Sequence, residues 1–131
     1  MIGGIEETNA QSTKLSENEY ADFIQSLIGG QREVSVQSGR VDLLTKEFAF
    51  ELEWANKWKD AIGQSIWYGV QTNKKSGIIL IMKKKEDYKY FIQLNTALEY
   101  ANLTNKIKVY LFPTDFEEII EERKRKTEVN K

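Results

Sequence analysis

A mixed β-sheet flanked by helices, an α/β fold, is what this sequence predicts, and three observations carry the prediction. Helical periodicity at Tyr20, Phe23, Ile24, Leu27 and Ile28 returns at Trp58, Ile62, Ile66 and Val70, with strand-like runs between. Three of those runs follow closely on one another, as in a meander. A fourth, Ile78–Met82, is continuously apolar, which suits a strand buried on both faces.

Residues 1–13 are polar and without pattern, so they read as a flexible N-terminal arm, and residues 14–131 as a single domain. Ser16 opens the first helix as N-cap, with Glu19 completing a capping box and Leu15 stapling onto Tyr20. Gly29-Gly30 ends it. The meander comprises Arg32–Gln37, Arg40–Thr45 and Phe48–Trp54, turning at Ser38-Gly39 and Lys46-Glu47. A second helix spans about Asn56 to Thr72, and Asn73 to Gly77 is a polar turn. After the apolar strand, Asp87 caps a helix to about Asn102. Ile107–Phe112 is a last strand, halted by Pro113, and a charged helix or tail runs from Glu117 to Lys131.

Composition narrows the chemistry. The chain has no cysteine and no histidine, which excludes disulfides, thiolate zinc sites, Ser-His-Asp triads and histidine general bases. Any reaction would fall to carboxylates and lysines. The formal net charge of −1 gives no global attraction to polyanions, so such attraction must be local. The first residues lack the apolar run of a signal peptide and no segment is apolar enough to span a bilayer, so a cytoplasmic location without membrane contact is the expectation.

Strand parity then gathers the acids. With Lys46-Glu47 as a two-residue loop, Leu43 pairs with Phe50, Asp42 with Glu51, Val41 with Leu52 and Arg40 with Glu53. Apolar meets apolar and charge meets charge; a slip of one residue would reverse every side chain. A loop at Ser38-Gly39 pairs Val36 with Val41, Val34 with Leu43 and Ser35 with Asp42. Glu33, Asp42, Glu51 and Glu53 then share one surface. Directly opposed Asp42 and Glu51 stand about 4.5–5.5 Å apart at Cβ. Their repulsion is relieved by a bridging cation such as Mg²⁺, with Mn²⁺ as a substitute. Lys57, Ala61, Gln64 and Tyr68 form one helical stripe, which brings Lys57 towards Glu51 and Glu53.

These residues resemble the PD-(D/E)xK nuclease superfamily, whose restriction-endonuclease-like core has the same αβββαβ order. Gly39-Arg40-Val41-Asp42 looks like its metal-binding aspartate strand, Glu51 like the acid of the (D/E)xK strand, and Gln64 to Tyr68 like the QxxxY motif of its RecB-like branch. The resemblance implies a Mg²⁺-dependent deoxyribonuclease, with metal on Asp42, Glu51 and the main-chain carbonyl of Leu52, and Glu33 as a weaker candidate. Gln64 and Tyr68 would position the DNA backbone. Glu53 stands where the motif lysine belongs, so Lys57 would supply that charge, stabilising a metal-bound hydroxide while Glu53 orients the water.

Plainer readings stand beside these. Isolated acids commonly decorate the wet face of a sheet, and a buried tyrosine is usually core. Lys74-Lys75 and Lys83-Lys84-Lys85 are solubilising loop lysines or phosphate contacts; Arg32 and Arg40, nearer the acids, are better candidates for DNA contact. A nuclease with no separate recognition domain points to a homodimer on DNA. The alternative is a catalytically inactive protein of the same fold, acting as a nucleic-acid-binding or assembly module.

Overall fold

The computed structural model describes residues 15–129. The arm expected at residues 1–13 lies outside them.

Helix α1 (Glu17–Ile28) starts as the capping box demands: the Ser16 hydroxyl accepts from the Glu19 amide at 3.1 Å and the Glu19 carboxylate accepts from the Ser16 amide at 2.9 Å. It stops at Gly29 and Gly30, whose φ values of 81° and 101° are left-handed conformations that glycine adopts without steric cost. Strands β1 (Gln31–Val36), β2 (Gly39–Leu44) and β3 (Phe48–Trp54) form the meander. A short 3₁₀ turn, Ala55–Lys57, leads into α2 (Lys59–Thr72), which ends at Asn73 in the left-handed region. Then come β4 (Lys75–Ile81), α3 (Tyr88–Tyr100), β5 (Ile107–Phe112) and α4 (Glu117–Val129).

The five strands lie in sequence order in one sheet. The first three run antiparallel, while β3, β4 and β5 are parallel, so the sheet is mixed as expected. Helix α1 covers one face, burying Ile24 with Leu43, Phe50, Ile79 and Phe112. Helices α2 and α3 cover the other, burying Ala61, Leu94 and Leu98 with Ile78, Leu80 and Leu111. The alternation of Ile78 and Leu80 with Ile79 and Ile81 between the two layers explains the unbroken apolar run of β4. Each such side chain contributes about 1.5–3 kcal/mol through burial. No helix among the described residues is long and apolar enough to cross a membrane.

One register and the length of one ladder differ from expectation. In the first hairpin Val36 pairs with Gly39, Val34 with Val41 and Ser35 with Arg40, two residues away from the pairing read from sequence. The loop is Gln37-Ser38, with Ser38 at φ 63°. Helix α2 fixes it there: the Gln71 side chain accepts from the Gln37 amide at 3.0 Å and the Trp67 indole donates to the Gln37 carbonyl at 2.6 Å. An even shift keeps every side chain on its face, which is why the parity argument could not detect it. In the second hairpin Leu43 pairs with Phe50 and Leu44 with Ala49 as expected, but the ladder stops there. The expected pairs Asp42–Glu51, Val41–Leu52 and Arg40–Glu53 do not form.

Two smaller departures concern polar residues. Strand β4 begins at Lys75, inside the stretch expected to turn, because Lys75, Ser76 and Gly77 pair with Phe48, Ala49 and Phe50. Asp87 makes no side-chain cap on α3; its carboxylate accepts from the Lys83 and Lys84 amides at 2.9 and 3.3 Å and so closes the turn before the helix.

Candidate functional site, an acidic seam between two strands

The opening of the β2–β3 ladder creates the site. Beyond Leu43–Phe50 the Leu52 amide has no carbonyl partner on β2, and Asp42 Oδ2 takes its place at 2.8 Å. Strand β2 also turns over here. Val41 packs with Ala49 and Tyr68 on the α2 side, whereas Leu43 packs with Phe50 on the α1 side. Residues two apart normally share a face, so the strand twists at Asp42, between Leu43 and Val41. Across the hairpin Glu33 holds φ 54°, a left-handed conformation within the strand.

Asp42 and Glu51 thus come together through their side chains rather than through backbone pairing. Glu51 is 5% exposed. Burial first, and then the Asp42 charge, push its pKa up to about 10, and the two carboxyls share a hydrogen bond. Burial also raises Asp42, against the opposing effect of the Leu52 amide. At neutral pH the pair therefore holds a proton. Gln64, with its amide nitrogen turned to the carboxyl, donates to both Glu51 oxygens. Tyr68 is buried, and its pKa is raised by desolvation and then by the Glu51 charge. Its ring reaches this position because residue 39 is glycine: a Cβ there would stand 2.9 Å from the Tyr68 hydroxyl.

A second acidic pair adjoins the first. Burial and the Glu17 charge push Glu53 up to about 7, and a hydrogen bond links its carboxyl to Glu17. Glu17 Oε2 is buried without a partner of its own, and burial raises this carboxyl too. The sequence reading missed Glu17. The signal available was its position in the first turn of α1, but the capping box of Ser16 and Glu19 accounts for the helix start without it.

The remaining candidates are placed otherwise. Lys57 lies in the 3₁₀ turn before α2, so the stripe with Ala61, Gln64 and Tyr68 is not one continuous helix face. It is exposed, and among the described residues no ion pair within 4.0 Å joins it to an acid. Its charge is felt at Glu17. Glu33 turns to the arginines, 3.3 Å from Arg32 and 3.2 Å from Arg40. Arg32 is a brace: it donates to the Asp42 carbonyl at 3.0 Å, to Asn18 Oδ1 at 3.0 Å and to Asp22, tying α1 to the hairpin. Arg40 keeps a largely exposed side chain. Leu52 buries its side chain in the α1 layer.

What can the seam hold? Among the described residues no group of three or more acidic, histidine or cysteine side chains is arranged to bind a metal ion. The donor set is one carboxyl pair, with one Asp42 oxygen already engaged by a backbone amide. Such a pair suits a hard cation that completes its shell with water and phosphate oxygens.

Comparison with known proteins corrects the family reading. Two KilA-N domain-containing proteins of Acanthamoeba polyphaga mimivirus are similar to this chain. One is 38% identical over 87 residues, covering 66% of this chain and 21% of the relative. The other is 37% identical over 95 residues, covering 72% of this chain and 35% of the relative. The chain thus spans about a fifth and about a third of these relatives' lengths. No family model and no solved structure matches it. The relatives carry the name of a different family from the PD-(D/E)xK superfamily, so the resemblance stated from sequence does not hold, nor does the nuclease function it implied. The nuclease, endonuclease and hydrolase readings fall with it, and so does the magnesium dependence that such a reaction implied.

Proposed function

We propose that this chain is a nucleic-acid-binding module whose Asp42–Glu51 pair takes a hard divalent cation in place of the shared proton. The polymer is our inference from the relatives, two viral proteins named for a KilA-N domain, together with the exposed lysines that follow β3 and β4. The observation that carries the cation is the opened strand seam itself, where the ladder ends at Leu43–Phe50, Asp42 Oδ2 accepts from the Leu52 amide at 2.8 Å and Glu51 is 5% exposed beside it. A cation there would offer its remaining positions to water and to a backbone phosphate, turning a repulsive acidic patch into an anchoring point. Gln64 holds Glu51 in place, and Arg32 fixes the β2 backbone beneath Asp42.

Fluorescence anisotropy of labelled DNA, with Mn²⁺ and then with EDTA, tests the proposal. The intact chain should bind in both conditions and about tenfold more tightly with Mn²⁺, a difference of about 1.4 kcal/mol. Asp42→Asn should bind equally with and without the ion. Failure to bind DNA in either condition overturns the module, and binding indifferent to Mn²⁺ in the unmodified chain overturns the cation.

A further inference from the structure

The nucleic-acid reading leaves open which surface meets the polymer, and the acidic seam alone cannot attract a polyanion. The carboxyl ends of the parallel strands can. Trp54 ends β3 opposite Ile81, which ends β4. Just beyond them the chain places Lys57 and Lys59 after β3, Lys83, Lys84 and Lys85 after β4, and Lys89 in the first turn of α3. All six are exposed, and none forms an ion pair within 4.0 Å among the described residues. Elsewhere Lys75 pairs with Glu47, Lys124 with Glu121, and Arg32 with Asp22, while Lys106 and Lys108 are as unpaired as these six among the described residues, so it is their clustering that marks the surface.

Two contacts join the segments that carry these lysines, and a third sets Lys59 beside one of them. The Lys83 ammonium lies 4.6 Å above the Trp54 ring, joining the β4 loop to the end of β3. The Trp58 indole donates to the Gln93 side chain at 3.0 Å, joining the start of α2 to α3. Lys59 lies 5.8 Å from the Trp58 ring. Of the two acids that follow the triple-lysine run, Asp87 is 5% exposed and turned inwards onto the Lys83 and Lys84 amides, so it shapes the loop without neutralising its face. Glu86 is exposed, as is Asp60 beside Lys59; with Glu17 and Glu53 at the margin they offset much of the positive charge, and the six lysines remain in excess of these four acids. Tyr88 adds a ring 48% exposed beside Lys89.

We propose that this lysine surface, at the carboxyl ends of β3 and β4, is where the chain holds the phosphate backbone of a nucleic acid. The assignment rests on the nucleic-acid reading above and adds the surface, the residues and the mode. Unpaired ammonium groups neutralise successive phosphates and release their counterions, which makes binding steeply salt-dependent and largely indifferent to sequence. Tyr88 offers a ring face on which an unpaired base can stack. The side chains of Glu17 and Glu53 adjoin this surface, since Lys57 acts electrostatically on Glu17 and Glu53 immediately precedes Trp54. A strand lying on the lysines therefore passes close to the acids. An anionic membrane would also meet exposed lysines, but the aromatic rings here are mostly engaged: Trp54 packs edge-on to Tyr20 and lies under Lys83, and only Tyr88 stands well out.

The test is salt-dependent anisotropy with labelled single-stranded and duplex oligonucleotides. Three proteins are compared: the full chain, a Lys83→Gln, Lys84→Gln, Lys85→Gln variant, and a charge-matched control, Lys74→Gln, Lys75→Gln, Lys106→Gln, at the opposite ends of the strands. The first variant should weaken binding at least tenfold and flatten the slope of log K against log salt by about 2–3, roughly one for each phosphate no longer neutralised. The control should move affinity less than threefold. Circular dichroism melting verifies that both variants fold. Equal weakening in the two variants would show simple dependence on net charge and overturn the surface. Undiminished binding in the first variant would overturn it too, while leaving the nucleic-acid reading intact. No binding by the full chain to either oligonucleotide overturns that reading, and this surface with it. Vesicles of anionic phospholipid form the last arm: lysine-dependent binding to them without oligonucleotide binding would reassign the surface to a membrane.

Discussion

Strand β3 has two neighbours that treat it differently. Towards β4 it pairs without interruption from Phe48–Lys75 to Trp54–Ile81, and both layers of core close over it. Towards β2 it pairs only at Leu43–Phe50 and Leu44–Ala49, then parts. On the first side the ladder is unbroken and side chains have mainly to fill space. On the second, a side chain must stand in for a missing carbonyl, and Asp42 does so for Leu52. Polar chemistry accumulates where the ladder opens, because an opened ladder is where carboxyls can be held close at tolerable cost.

Truncation on the closed side should have the largest effect. Ile79 is fully buried between α1 and the sheet, so Ile79→Ala should cost about 2–5 kcal/mol in urea unfolding. A loss below about 1 kcal/mol would mean that the layers are less tightly packed than the two clusters indicate.

On the open side, Asp42→Ala leaves the Leu52 amide unpaired in a partly buried position, which should cost about 1–3 kcal/mol. Asp42→Asn retains an oxygen for that amide and removes a charge facing Glu51, so it should stay within about 1 kcal/mol of the unmodified chain. If alanine and asparagine were equally destabilising, the carboxylate charge rather than the hydrogen bond would be holding the seam.

The fold was largely legible in the sequence, and the reasons are physical. Capping box, terminating glycines and the apolar run of β4 are local signals, and each lies where its element does; the stripe of α2 marked a helix, but Ile66 and Val70 are exposed and the buried face carries Ala61, Ser65, Tyr68 and Gly69. Strand parity correctly placed Leu43 with Phe50, but it set Asp42 directly opposite Glu51, whereas the two meet through their side chains beyond the end of the ladder. It failed where tertiary contacts rule. The hairpin loop moved because Trp67 and Gln71 grip Gln37, an interaction between segments far apart in sequence that no local pattern encodes. The seam opened because a side chain displaced a backbone partner. Periodicity put Lys57 on the helix stripe, yet the chain needed a 3₁₀ turn to leave β3. The family reading erred differently: element order and acid spacing support a fold, but a fold does not by itself carry an activity.

Titration gives the next contrast between the two sides of β3. Glu51 binds its proton more tightly folded than unfolded, with a folded pKa of about 10 against an ordinary 4.5. Between those values the native state holds more protons than the unfolded chain, so stability should fall as pH rises from about 5 towards 10. The decline from this group is limited to about 1.4 kcal/mol per pH unit. Without divalent ions, melting temperature should therefore drop between about pH 6 and 9, and Glu51→Gln should flatten the drop. Added Mn²⁺ should reverse it at high pH, by about 2.7 kcal/mol when the ion is at a hundredfold excess over its dissociation constant. A melting temperature independent of pH in this range would mean that Glu51 is already ionised in the folded chain.

The smallest effect separates two arginines that the sequence treats alike. Arg32 has 14% side-chain exposure and donates to the Asp42 carbonyl and to Asn18 and Asp22 of α1, so it belongs to the structure under the seam. Arg40 has 65% exposure, and its guanidinium is paired with Glu33 alone among the described residues. Exposed ion pairs contribute about 0–1 kcal/mol, so Arg40→Gln should shift stability by less than about 0.5 kcal/mol, with salt erasing even that. Arg32→Gln should cost several times more and should do so at any ionic strength, because a backbone carbonyl and a helix lose their brace together. Equal and salt-sensitive losses would place Arg32 on the surface with Arg40, and the hairpin would then have to be held over the seam by α2 alone, through Trp67 and Gln71.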